Sequence, residues 1–438
     1  MSVVKSSNKR LRGHQRGKGS PWVIAVAGAL ALATAMGIGR FAFTPLLPMM
    51  LADGVVDLPG ASYLASANYL GYLVGALLCT FQPWIWARFK SLPVVASTTW
   101  LLAGLVATCV LTLGMALDVP VLWPWLRFAA GVASAFVFVF TSGWCAAQLA
   151  ERHASHLGGV MFTGPGAGIA LSGVLASGMV VLHWQAAAGW LIFGLLACVL
   201  TACVWRIVYR QKALATLVNV ESRLVQAPIT TLAQTMPLVS RWQMSWLAIA
   251  YGLDGLGYII TATFLPVIAR QAMPSSAWLD LFWPLFGLAV IAGALLSTRV
   301  SLKADLRYVL AAGYMMQAVG VIITVWLPTP LGFALGSLML GLPFTAITFF
   351  ALQEVRRLKP HSTASYMGLL TAVYGAGQIA GPPLAAVLLS RSATVGQGFN
   401  LALEIAASAL VLGAVMFVWL AWAYPKVVDR SSGTDKRY

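Results

Sequence analysis

Charge is scarce in this sequence. Of 438 residues, 9% are Asp, Glu, Lys or Arg, against about a quarter in an ordinary soluble domain. Acidic side chains are scarcest, 12 against 28 basic ones. The five cysteines (Cys79, Cys109, Cys145, Cys198 and Cys203) all lie inside apolar runs, which excludes a loop-borne disulfide framework and a CxxC metal site. The five histidines are scattered, and His153 and His156 have no ligand partner nearby in sequence, so no metal is expected. A Walker A motif, an HExxH helix and a nucleophile elbow are also missing. Without them the sequence points to no enzyme, no cofactor and no nucleotide as energy source.

What fills the chain instead is apolar: 60% of it is hydrophobic. Runs fall near 22–50, 61–83, 94–117, 122–149, 157–182, 187–208, 243–268, 281–298, 308–327, 331–352, 365–389 and 401–424. A run of about 20 apolar residues spans a bilayer as a helix, because in lipid each backbone polar group must be satisfied within its own segment. The expected fold is therefore an all-α integral membrane protein of twelve transmembrane helices, with the lipid bilayer as its solvent. Ser20-Pro21 reads as an N-cap and first-turn proline opening the first span. That span is too long for a signal-peptide core, so no cleavage is expected.

The net charge of +16 suggests nucleic acid until its distribution is read. With the N-terminus inside, every Lys and Arg except Arg40, Arg127, Arg270 and Arg391 falls in the tails or in loops on one face. The other face carries Asp53, Asp57, Asp118 and Asp280. The positive-inside rule then places both termini in the cytoplasm, and nucleic acid drops out as a partner. Trp84, Trp86, Trp123, Trp125, Trp242, Trp326 and Trp422 sit at span ends and read as interface anchors.

The longest loop divides the spans six and six, and the halves echo each other. FTPLL at 43–47 matches FLPVI at 264–268, and GIGR at 37–40 matches GLGY at 255–258. GALL recurs at 75–78 and 293–296, and ASHLG at 154–158 returns as ASYMG at 364–368. Spans 1, 2 and 5 thus pair with 7, 8 and 11 in consistent order. The expected domains are a basic tail (1–20), a six-helix bundle (21–208), a cytoplasmic linker (209–241), a second six-helix bundle (242–424) and a tail (425–438). Two parallel six-helix repeats are the plan of major facilitator transporters, whose substrate site lies near the bilayer midplane.

The resemblance then becomes more specific. GIGRFAFTPLLPMM, ASYLASANYLGYLVGALL, GLGYIITATFLPVIAR, PFTAITFFALQEVRR and LLTAVYGAGQIAGPPLA together resemble the YbfB/YjiJ-type family of the major facilitator superfamily. The resemblance implies a multi-pass secondary transporter of the bacterial inner membrane, a monomer with a small-molecule substrate. One departure stands out. Many members of the superfamily carry an Asp-Arg signature between helices 2 and 3, whereas here QPWIWARFKSLP keeps Arg88 and Lys90 without the Asp, and STRVSLKADLR is similarly degenerate. Glu151 with Arg152, and Glu354 with Arg356, end the pseudo-equivalent helices 4 and 10. They are candidates for a substitute inner gate, or else solvated helix ends.

Arg40 lies thirteen residues before Asp53, about 20 Å of helix and so near midplane. An arginine there costs about 2.5–3.5 kcal/mol on insertion scales, so it should face a cavity or a partner. It either captures an anionic group through its planar fork or forms a structural ion pair that locks helix 1. Asp254 in YGLDGLGY is the other deep charge, a candidate to bind and release a proton, to pair with Arg40 in the empty carrier, or simply to neutralise it. Asn68 and Tyr72, four apart on one helix face, together with Tyr258, Tyr374 and Gln378, are candidate cavity residues; interhelical hydrogen bonding explains them equally well. Arg127 opens helix 4 close to the outer interface, where snorkelling is cheap, with substrate contact as the lesser alternative, and Gln317 reads as structural. TGPGAG and GQIAGPP resemble partial exporter motifs, with Pro165 and Pro382 expected to bend their helices. The resulting expectation is a carrier of a small anionic or zwitterionic solute working by alternating access, with protons as a candidate partner and export favoured. The alternative is a non-transporting sensor or scaffold on the same fold.

Overall fold

The computed structural model describes residues 20–88, 95–117, 119–222, 241–273, 279–301, 304–359 and 363–426. The tails, most of the central linker and Lys90 lie outside these residues. Among the described residues the structure is helical throughout. The first span comprises α1a (Pro21–Leu32), a π-helical segment (Ala33–Ile38), a turn and α1b (Phe43–Ala52). Then follow α2 (Leu58–Arg88), α3 (Ser97–Gly114), α4 (Trp123–Ala150), α5 (Thr163–Val181) and α6 (Ala186–Ser222). The second part of the chain forms α7 (Arg241–Ala272), α8 (Phe282–Ser297), α9 (Leu306–Trp326), α10 (Pro330–Leu358), α11 (Thr363–Arg391) and α12 (Val395–Ala423). Eleven spans are long and apolar enough to cross a membrane, and α8, with 16 residues, is a shorter apolar helix. The protein is a multi-pass membrane protein.

Most of these bounds follow the apolar runs, with instructive departures. The first span is broken where a continuous helix was expected. Pro45 has no N–H for the Phe41 carbonyl, and the Thr44 amide takes that carbonyl instead. The sixth helix runs on to Ser222, so the predicted linker begins as helix. Pro165 falls in the first turn of α5, preceded by a 3-10 segment (Ser155–Phe162), where its missing N–H costs no intrahelical bond. The expected kink at Pro165, and the leaning to export that it supported, lose this basis. Trp84, Trp125, Trp242, Trp326 and Trp422 are exposed as interface anchors should be, but Trp123 is buried and donates to the Leu117 carbonyl.

With nearly every surface apolar, packing depends on how closely backbones approach. The main contacts are α2 with α4, α3 with α4 and α6, and the first span with α4, α5 and α6. In the second part, α8 and α9 pack on α10, α9 on α12, and α7 on α11 and α12. The two sets meet where α2 lies on α11, α5 on α8 and α1b on α7. Glycines set these distances. A Cβ on Gly71 would lie 1.9 Å from the Phe128 carbonyl oxygen, and one on Gly131 2.0 Å from that of Asn68.

Gly131→Ala should therefore lower the Tm of the purified protein, since overpacking costs about 1–3 kcal/mol. Gly143→Ala, on the same helix but with nothing within 4 Å of the added methyl, should leave Tm unchanged or raise it. Equal stability of the two variants would contradict the close α2–α4 crossing.

Candidate functional site

The break in the first span presents Arg40 at the centre of the bundle. Arg40 is 2% exposed. The guanidinium carbon lies 4.3 Å from the centre of the Tyr72 ring, 5.0 Å from Tyr69 and 5.4 Å from Phe41. Nη2 donates to the side-chain oxygen of Gln378, and Nε has no partner. The Gln378 amide in turn donates to the Tyr258 hydroxyl. Tyr258 stacks on Tyr374 at 5.8 Å, and Tyr374 on Tyr251 at 4.8 Å. A ladder of tyrosines thus runs from Arg40, on the first span, along α7 and α11.

Five of the six candidate binding residues, Arg40, Tyr72, Tyr258, Tyr374 and Gln378, come together in this ladder. Asn68 shares a helix face with Tyr72 but turns to α4, donating from Nδ2 to the Arg127 carbonyl at 2.9 Å and leaving Oδ1 unpartnered. The pairing of Arg40 with Asp254 does not form. Asp254 is fully buried and lies beside the Tyr374 hydroxyl instead.

Arg127 departs furthest from expectation. It is 2% exposed and does not snorkel. It reaches the broken span, donating from Nη1 to the Gly39 carbonyl and from Nη2 to the Arg40 carbonyl, each at 3.2 Å, with Phe43 4.8 Å beneath it. The Arg40 carbonyl needs this donor because the Thr44 amide has turned to Phe41. Arg127 is thus a positioning residue that sequence reading missed. The signal available for it was Pro45 after GIGR, which frees carbonyls that something must satisfy. Gln317, expected as structural, donates to the Leu340 carbonyl at 3.4 Å.

Both ends of the centre are closed. Towards the Asp53 end, Thr44 donates to the Ala262 carbonyl at 2.7 Å, and the Tyr69 and Thr263 hydroxyls lie 2.8 Å apart. At the opposite end Phe162 packs on Phe349 at 6.0 Å, beside a cavity of about 160 Å³ lined by Ser142, Gln353 and Arg356 among others.

The charged groups at that end pair differently from expectation. Glu354 accepts from Arg357, one turn of helix away, with Arg307 at 3.9 Å, whereas Arg356 faces the cavity. Arg307 also bonds Asp305 at 2.7 Å and the Leu420 and Tyr424 carbonyls at 2.8 Å. The degenerate loop before α9 therefore supplies a working ion network through residues that its motif did not flag. Arg152 donates to Gln148 and to Gln211 of α6, and Glu151 accepts from Gln148.

The described residues thus form a bundle of apolar membrane helices around a buried arginine–tyrosine centre. A family model described as "Uncharacterised MFS-type transporter YbfB" matches residues 32–418, and the chain belongs to this family of major facilitator transporters. Among solved structures, the chain is similar to a point mutant of the nucleoside transporter NupG, with a TM-score of 0.60 at 16% identity, over 91% of this chain and 99% of that one. At that identity the likeness is one of fold. No curated protein gives a significant match.

Two outcomes are expected. Arg127→Gln should destabilise the protein by about 1–3 kcal/mol, the cost of stranding buried acceptors, read as a lower Tm. Burial raises the carboxyl pKa of Asp305, but hydrogen bonds from the Arg307 side chain and backbone outweigh it and hold the group below its ordinary value. A depressed folded pKa adds stability above the free-Asp value of about 3.9 and loses it as pH falls through the folded one. Asp305→Asn should hence lower Tm near neutral pH, and the gap to wild type should close in acid. A gap independent of pH would contradict this.

Proposed function

We propose that this protein is a secondary carrier that moves a small anionic or zwitterionic organic solute across the cell inner membrane by alternating access, with Arg40 holding the anionic group. The reading includes α8 as a membrane span, twelve in all, in two six-helix repeats covering 21–208 and 242–424, the first extended by the tail of α6. The packing supports the repeat. Adding six to each helix number turns the first set's contacts into the second's: α2–α4 into α8–α10, α3–α6 into α9–α12, and first span–α5 into α7–α11. The repeated GALL fits as well, since Gly75 meets Val132 on α4 and Gly293 meets Leu342 on α10. By the positive-inside rule both termini are cytoplasmic. The carrier acts as a monomer.

One observation carries the choice of an anion. Arg40 is a buried cation whose side-chain hydrogen-bond partner is a neutral amide, with Nε unpartnered and no ion pair to an acidic residue among those described. A guanidinium in a low-dielectric interior gains most from a counter-charge that it can bind bidentately. A solute carboxylate would displace Gln378 from Nη2, engage Nε and lie against Tyr72, with Tyr258 and Tyr374 as further walls. Asp254, separate from Arg40, is the candidate proton site. The inner gate is then Glu354 with Arg357 and Arg307, in place of the Glu354–Arg356 pair, together with the Arg152 staple to α6. Rocking of the two bundles would alternately open the Thr44–Ala262 and Tyr69–Thr263 closure and the Phe162–Phe349 closure.

Purified protein screened by thermal shift against small organic anions, cations and neutral solutes tests the anion site. A solute at 100 times its Kd stabilises by about 2.7 kcal/mol, and Arg40→Gln should abolish that response to anions while remaining folded. An equal response from both proteins, or a response to cations or neutral solutes alone, would refute the assignment. In vesicles, Asp254→Asn should abolish uptake driven by a pH gradient while sparing solute exchange. Wild-type vesicles that bind an anion but show no flux would favour a sensor.

A further inference from the structure

A large cavity lies away from the Arg40 centre, on the outer surface between α3 and α6. It is an open trough of about 930 Å³ lined by Val106, Val110, Leu113, Ala202, Trp205 and the arginines Arg206 and Arg210, among others. Its floor is closed by tight packing, since a Cβ on Gly194 would lie 2.4 Å from a Leu113 methyl. Cys109 and Thr201, whose side chains lie 3.2 Å apart, satisfy each other within it. Its walls are therefore apolar, and its polar groups gather at one end.

Arg206 and Arg210 are one turn apart on α6 and both exposed. Among the described residues neither forms an ion pair. Arg206 is twenty residues beyond Ala186, roughly 30 Å of helix, which is the thickness of the hydrocarbon core. The arginines therefore sit at headgroup depth, with Trp205 and Tyr209 exposed beside them. Positive-inside charge alone accounts for arginines at this level. It does not account for an apolar trough that ends at them and runs back to the Cys198 level, about 18 Å of helix from Arg210. That length suits the acyl chains of one leaflet.

We propose that the α3–α6 trough binds one anionic phospholipid, its phosphate held by Arg206 and Arg210 and its acyl chains lying along Val106, Val110, Ala202 and Leu113. Charge complementarity selects this occupant. A phosphodiester matches two guanidinium forks one turn apart, and basic sites between helices at a membrane face recruit anionic headgroups. The proposal is independent of the substrate reading, because the trough faces lipid and shares no residue with the Arg40 centre.

Native mass spectrometry of the delipidated full-length protein with phosphatidylglycerol and phosphatidylcholine tests it. Wild type should retain one phosphatidylglycerol at least tenfold better than phosphatidylcholine. The double variant Arg206→Gln/Arg210→Gln should lose that preference. Ala202→Trp, which fills the trough and keeps both charges, should lose the bound lipid. Arg88→Gln, an exposed basic residue outside the trough, should change nothing. Equal retention of the two lipids, undiminished binding by either trough variant, or an equal loss with Arg88→Gln would overturn the proposal. So would competition by glycerol 3-phosphate, which carries the phosphate without the chains.

Discussion

A carbonyl that loses its helical donor inside a bilayer must find another, and much of this structure follows from how that is done at residues 39–42. Pro45 of FTPLLP borders the break in the first span, and the Arg40 carbonyl is left without its usual amide, since the Thr44 amide turns to Phe41. Arg127 crosses from α4 to supply two N–H groups, and Asn68 of α2 in turn donates to the Arg127 carbonyl. Three helices are thus tied at one level by main-chain acceptors. The break also places Arg40 on a turn at the centre of the bundle, with its side chain free to lie against Tyr72 and Tyr69.

Close backbone crossings make this tie possible. Gly71 and Gly131 bring α2 against α4 at the height of Asn68 and Arg127, and Gly37 meets Gly168 where the π-helical segment passes α5. Gly39 has ordinary helical dihedrals, so it is there for space, with the Thr108 methyl 2.6 Å from where its Cβ would be. The tyrosines do similar work on the other side. Tyr258 and Tyr374 stack because Gly255 and Gly377 let α7 and α11 close on each other.

The functional reading rests on an imbalance between these two parts. Arg127 donates from both Nη atoms to carbonyls that the fold itself exposes, leaving its Nε without a partner, and its role is mechanical support. Arg40 has no acidic partner among the described residues and rests on aromatic faces and a neutral amide, an environment that holds a cation without neutralising it. Asp254 is the converse, a buried acid set beside the Tyr374 hydroxyl and away from Arg40. The proposed carrier therefore gives solute and proton different places, with Arg40 for the one and Asp254 for the other.

The helical membrane class, the approximate bounds of the apolar segments and the choice of Arg40, Tyr72, Tyr258, Tyr374 and Gln378 as deep polar and aromatic positions, which the fold brings together, were legible in the sequence. Each of these depends on hydropathy, or on a polar residue whose cost in lipid is local. Partnerships were not legible, because they depend on distances between segments far apart in the chain. Arg127 looked like an interfacial arginine because its carbonyl acceptors belong to a helix break 88 positions away. Glu354 was matched to Arg356 by proximity, but one more residue along the helix brings Arg357 onto its own face. The absence of an Arg40–Asp254 pair was likewise a matter of tertiary structure, since only the packing of the first span against α7 and α11 decides which of two deep groups Gln378 stands beside.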